Sequence, residues 1–236
     1  MLINALRSGS SLAIISVIIA DLFLVFVALP IHEWAHAIAA YKCGDNTPKL
    51  AGGLTLNPLA HIDVLGAILI VLTGFGWGKP TPVNPNNFKH PKWDNVLVSL
   101  AGPMSNLLMG WLSFFLSACF THISSIYGTN LQMILYYVFA YAGIISIFLG
   151  VVNLLPIPMF DGFALLEAVL PENANHWIRT HSGVLSIIIF VLFIVGALSY
   201  PISWLSQFVA RFFWWISNLP FGGAVAIYDP VSLMYG

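Results

Sequence analysis

Charge is what this sequence holds least of. Asp, Glu, Lys and Arg make up 7% of its 236 residues, against about 25% in a soluble domain, too few to cover a water-facing surface. The formal net charge of −1 and the lack of any Lys/Arg cluster argue against nucleic acid as a partner. Its two cysteines, Cys43 and Cys119, have no metal-ligand spacing and offer no disulfide framework, so both read as free thiols. Internal repeats and low-complexity tracts are also missing.

Apolar residues are abundant, at 59% of the chain with a mean hydropathy of +0.89. The expected fold is an all-α polytopic integral membrane protein, a transmembrane helix bundle forming one domain over residues 1–236. Helices are expected at about residues 11–42, 93–121, 131–155, 182–199 and 201–218, the last either crossing the bilayer or lying on it. Residues 64–77 are apolar but too short to span, and read as a re-entrant segment or short helix. Residues 54–56 and 79–85 are expected as short β-strand pieces on the cytoplasmic side, the prolines of the second permitting an edge strand at most. Arg7 followed by an apolar run resembles a signal peptide. Cleavage at Ala35 or Ala37 would cut through the histidine motif described next, so the run is read as a retained helix that Pro30 can bend.

That motif is His32-Glu33-Trp34-Ala35-His36. On a helix the two histidines fall four residues apart on one face and can converge on one zinc ion, with Glu33 beside them to deprotonate a water. Each ionisable group placed in a membrane helix costs roughly 2–3 kcal/mol on insertion scales, a cost that a catalytic role would explain. A catalytic zinc takes three protein ligands and keeps one position for water. The best third candidate is Asp161, at a helix end broken by Pro156 and Pro158 and followed by Gly162, with Glu167 next. If residues 64–77 crossed the bilayer, the first helix and the one leading to Asp161 would end on opposite faces; if they are re-entrant, both end on one face. In that case Lys42, Lys49, Lys79, Lys89, Lys92 and Arg179 share one side against Arg7 and Arg211, which puts the metal end towards the cytoplasm of a cell membrane.

Three separated motifs, HEWAHA, AGPMSN and NLLPIPMFDG, resemble in order those of the site-2 protease family of intramembrane zinc metalloproteases, over about residues 20–170. GGLTLNPLAHID and FGWGKPTPVNP resemble the small bacterial and archaeal subgroup without a PDZ domain. The resemblance implies one zinc ion per chain held by His32, His36 and Asp161, with Glu33 as general base. It implies oxyanion or substrate-positioning roles for Asn106 and Asn153, and marks His61 as a possible secondary site beside the simpler account of a histidine bonded to a neighbouring loop. The implied substrate is a transmembrane protein helix, cut by metal-assisted hydrolysis after local unwinding. The pieces around Leu54 and Thr81 are candidates for pairing with it by strand addition. A transporter built on buried polar residues, a catalytically silent helix-binding relative, and a different membrane zinc peptidase are the rivals. Oligomeric state is left open.

Overall fold

The computed structural model describes residues 11–73, 77–122 and 128–221. Among them, four helices are long and apolar enough to cross a membrane: Val17–Lys42, Pro91–His122, Asn130–Asn153 and Glu172–Phe193. The protein is a helical membrane protein.

The first of these is built from α1 (Ser11–Phe23), a π turn (Leu24–Ala28) and α2 (Leu29–Lys42). The π turn has a cause in the sequence. Pro30 lacks an N–H and its ring crowds the carbonyl four residues back, so the turn before it widens to absorb the misfit. Next come a single turn, α3 (Thr47–Leu50), and the ten-residue α4 (Val64–Thr73). The two long central helices follow, α5 (Pro91–His122) and α6 (Asn130–Asn153). After the short α7 (Phe163–Val169) come α8 (Glu172–Ile194) and α9 (Ser199–Asn218), separated by a turn in which Gly196 takes φ +79°.

α6 lies at the centre. On one face Tyr136, Ala140, Ile144, Ile147 and Val151 pack with Phe114 and Ala118 of α5 and Ala210 and Trp214 of α9. On the other, Ala142 and Ile145 pack against Ala20, Leu24, Val25 and Ala28 of the first helix and Ile70 of α4. Small residues set the closeness of the α5–α6 crossing: a Cβ on Gly110 would stand 2.5 Å from Ile147, and one on Gly143 2.5 Å from Phe114. Membrane helices lack a hydrophobic drive towards one another, so such close packing supplies much of their association.

The expected strand pieces are not formed; among the described residues there is no β-strand. The reason is local bonding. Around Leu54, the Thr55 hydroxyl accepts from the Asn57 N–H and the Asn57 side chain accepts from the Leu59 N–H, which curls the chain into the 3₁₀ turn Pro58–Ala60. In residues 79–85 the N–H groups of Lys79, Thr81 and Asn84 are taken by His61, Glu33 and Asp45 rather than by a neighbouring strand. Residues 74–76 of the expected re-entrant segment lie outside the described residues. Its two ends meet: Lys79 donates to the His61 carbonyl at 2.8 Å, and a Cβ on Gly66 would collide with the Trp77 carbonyl. The fourth long helix starts ten residues before the expected Ser182, at Glu172.

Candidate metal centre

α2 presents His32 and His36 on one face, both buried. Facing them is α5, which comes close because Gly102 has no side chain; a Cβ there would overlap the His36 Nε2 and stand 2.6 Å from His32 Cε1. The third group arrives on the loop after α6. Gly162 closes that loop by donating its N–H to the Asn153 carbonyl at 2.6 Å, where any Cβ would strike the Leu154 carbonyl. Met159, two residues before Asp161, is held at φ +97°, a conformation that side chains resist.

The result is a cluster in which one ligand atom from each of His32, His36 and Asp161 lies within 4.8 Å of the others. The two Nε2 atoms are 3.1 Å apart, and each is 3.4 Å from Asp161 Oδ2. His36 Nδ1 lies 2.7 Å from the Val98 carbonyl, a contact that calls for the proton on Nδ1 and leaves a lone pair on Nε2. His32 Nδ1 is engaged by the Asn106 carboxamide at 3.0 Å. Both Nε2 atoms and a carboxylate oxygen converge, and Asp161 Oδ2 is buried with no hydrogen-bond donor of its own; with the Asn106 carboxamide turned so that its oxygen accepts from His32 Nδ1–H, both Nε2 atoms present lone pairs. Lone pairs gathered in this way repel unless a cation lies among them. The donor set of two nitrogens and one oxygen suits zinc with one position left open.

Glu33 is bonded to residues 79–85. Its Oε2 accepts the Thr81 N–H at 2.8 Å, while the Thr81 hydroxyl donates to the Glu33 main-chain carbonyl at 3.0 Å. Asn106 touches a histidine, and its Oδ1 is buried without a partner. Asn153 contributes its carbonyl to the closing turn of the Asp161 loop. His61 is outside the cluster; its Nε2 donates to the Thr55 carbonyl at 2.8 Å, the loop contact that was the simpler account. Glu167, the alternative third ligand, pairs with Arg179 at 2.8 Å. Sequence reasoning placed Thr81 only in a piece that could pair with substrate, missing its bond to Glu33, and missed Asp45 altogether. The available signals were a lone non-proline between Pro80 and Pro82 and an Asp two residues before a Thr, the pattern of a side-chain-bonded turn.

Comparison with known proteins gives the family. The family model described as Peptidase family M50 matches residues 120–197. YwhC of Bacillus subtilis, named as a zinc metalloprotease, is 38% identical over 180 residues, covering 75% of this chain and 80% of its own. Rip2 of Mycolicibacterium smegmatis, also named as a zinc metalloprotease, is 29% identical over 192 residues, 79% of this chain and 70% of its own. Rip2 of Mycobacterium tuberculosis H37Rv, named likewise, is 29% identical over 177 residues, 73% and 66% of the two chains. No solved structure matches the chain. By its relatives, and in keeping with its membrane helices and histidine–aspartate cluster, the chain belongs to peptidase family M50, the metalloproteases of the site-2 type.

Proposed function

We propose that this protein is an intramembrane zinc endopeptidase that hydrolyses peptide bonds of transmembrane-helix substrates, with one zinc ion held by His32, His36 and Asp161. The observation that carries the proposal is the convergence of three lone-pair atoms from α2 and the Asp161 loop within 4.8 Å. A zinc ion bound there acts as a Lewis acid and brings the pKa of a water down to about 7.

The residues of the chain do the rest. Val98 and Asn106 hold the outer nitrogens of the two imidazoles, so that both Nε2 atoms aim at one point. Glu33 takes the proton of the attacking water and passes it to the leaving amine. Asn153, whose carbonyl closes the Asp161 loop, and Asn106, beside His32, are the polar side chains assigned to the oxyanion or the substrate backbone. The substrate has to unwind before its carbonyl can enter.

The membrane placement belongs to the same proposal. In this reading the chain leaves and rejoins one face at His61 and Lys79, whose backbone groups bond at 2.8 Å. That face, carrying most of the lysines, is cytoplasmic.

The test uses purified protein and a Leu/Ala-rich transmembrane peptide with a central Gly-Gly pair and a fluorophore and quencher at its ends. Glu33→Gln should lower kcat by about 10²- to 10⁴-fold, the usual worth of general acid–base catalysis, while keeping its zinc. His32→Ala and Asp161→Ala should lose zinc as well as cleavage. Undiminished cleavage by Glu33→Gln, or full zinc in Asp161→Ala, would sink the proposal.

A further inference from the structure

Residues 78–87, Gly-Lys-Pro-Thr-Pro-Val-Asn-Pro-Asn-Asn, run alongside the catalytic helix α2. Prolines at 80, 82 and 85 remove three N–H groups from this stretch. The donors that Lys79, Thr81 and Asn84 retain are all spent inward: Lys79 on the His61 carbonyl at 2.8 Å, Thr81 on Glu33 Oε2 at 2.8 Å, and Asn84 on Asp45 Oδ2 at 2.7 Å. A strand that accepted a substrate by ladder pairing would need donors facing outward, and Pro80 and Pro82 have none.

Asp45 is the far anchor. It is 0% exposed and lies just beyond the end of α2. Besides Asn84, its carboxylate accepts from the Thr47 N–H at 3.0 Å, the Thr47 hydroxyl at 2.6 Å and the Asn87 side chain at 2.7 Å. Close by, Lys89 donates to the Cys43 carbonyl at 3.1 Å, and Val83 and Phe88 pack on Ala39, Ala40 and Cys43. The stretch is thus fastened to α2 at both ends, at Glu33 and past Lys42. Burial pushes the Asp45 carboxyl upward, and its four donors outweigh that and hold it below its ordinary value. It is therefore an anion able to keep all four bonds.

We propose that residues 78–87 form a splint that fixes the carboxylate of Glu33, and that Asp45 is a positioning residue for this base, acting through the Asn84 and Thr81 backbone. The inference rests on Glu33 being the general base. A carboxylate on α2 without such a partner would sample several rotamers, and reactions at a positioned group lose rate steeply with small displacements. Asp45 never touches the reacting atoms; it sets where Thr81 sits, and Thr81 sets where Glu33 sits.

The experiment is hydrogen–deuterium exchange of the purified full-length protein, paired with kinetics on the same quenched Leu/Ala-rich peptide. Seven amides remain in this stretch, so exchange is read at single-residue resolution, at Thr81 and Asn84. Asp45→Asn should speed their exchange about tenfold or more and lower kcat about tenfold, with KM within about twofold and zinc content unchanged. Asn87→Ala, which removes one of the four donors, should do the same to a smaller extent and serves if Asp45→Asn does not fold. Thr81→Val should lower kcat and Thr81→Ser should restore it. Unchanged exchange in both Asp45→Asn and Asn87→Ala would overturn the splint. A raised KM with kcat retained would also overturn it, in favour of a surface that binds substrate. Failure of the Glu33 reading is separately visible: Glu33→Ala should still free the Thr81 amide, whatever Glu33→Gln does to cleavage.

Discussion

The first long helix and α8 are alike in length and apolar character and opposite in surroundings. Within its most apolar window, 44% of the Val17–Lys42 helix is buried in the protein, whereas none of the corresponding window in Glu172–Phe193 is. α2 carries two histidines and a glutamate and keeps the histidines inside. α8 turns Val184, Ile187, Ile188, Phe190 and Val191 outward, a surface suited to lipid. Hydropathy decides that both can lie in a membrane; the neighbours decide which can hold polar groups. An ionisable side chain in lipid is costly, and the same side chain walled in by other helices and hydrogen-bonded is tolerated.

The largest test of this contrast adds one methyl group to the walled-in side. Gly102→Ala puts a Cβ where the His36 ring already stands. α5 must back away or both imidazoles must swing, and either separates the ligand atoms. Zinc affinity should fall by more than the roughly 100-fold that marks the upper range for losing an outer-sphere partner. The overpacked helix pair should also lose about 1–3 kcal/mol of stability. Competition with a chelating dye measures the first and thermal unfolding of the metal-free protein the second. Retention of wild-type zinc affinity would mean that α5 does not crowd the histidines.

A smaller effect is expected at Asn106. Neutral His32 with its Nε2 lone pair free for zinc carries its proton on Nδ1 and needs an acceptor there, which the carboxamide oxygen provides when the amide is turned over. Asn106→Asp keeps an acceptor and should hold zinc within about threefold of wild type. Asn106→Leu removes it and should weaken zinc about 10- to 100-fold. If the carboxamide instead serves the oxyanion, both variants lose kcat and neither loses zinc, so the pair of measurements separates the two roles.

The sequence showed some of this and hid the rest, for reasons that lie in particular residues. His32, Glu33 and His36 were legible because their spacing is set by helical geometry within one turn, and Asp161 because two prolines mark the break before it. Asn106 was legible as a polar residue in a span, but which atom it meets depends on how α5 crosses α2, and Gly102 controls that crossing from four residues away. Residues 79–85 looked like an edge strand because prolines exclude helix there. Their donors go to Glu33 and Asp45, partners 39–48 residues distant that no local pattern reveals. α8 was started too late because Glu172 to His181 is polar; yet nothing in it breaks a helix, and Pro171 with Glu172 makes an ordinary helix start.

The smallest expected effect lies on the lipid-facing side, where the substitution made at Gly102 is repeated at Gly183. A Cβ on Gly183 would meet nothing within 4 Å. The residue is helical, so alanine fits its backbone and reduces the freedom of the unfolded chain. In water the exchange is worth up to about 1 kcal/mol in favour of the helix. In a membrane the unfolded reference is already largely helical, because backbone groups must stay bonded there, so the gain should be smaller still. Gly183→Ala should therefore leave zinc affinity and kcat unchanged and move stability by less than about 1 kcal/mol, in the stabilising direction. Thermal unfolding of the two Gly→Ala proteins in the same detergent makes the comparison direct. A loss of stability at Gly183 would show that the methyl meets a neighbour, so that α8 is covered by protein in the assembled membrane form. The contrast between a walled-in helix and a lipid-facing one would then fail at this position, however Gly102 behaved.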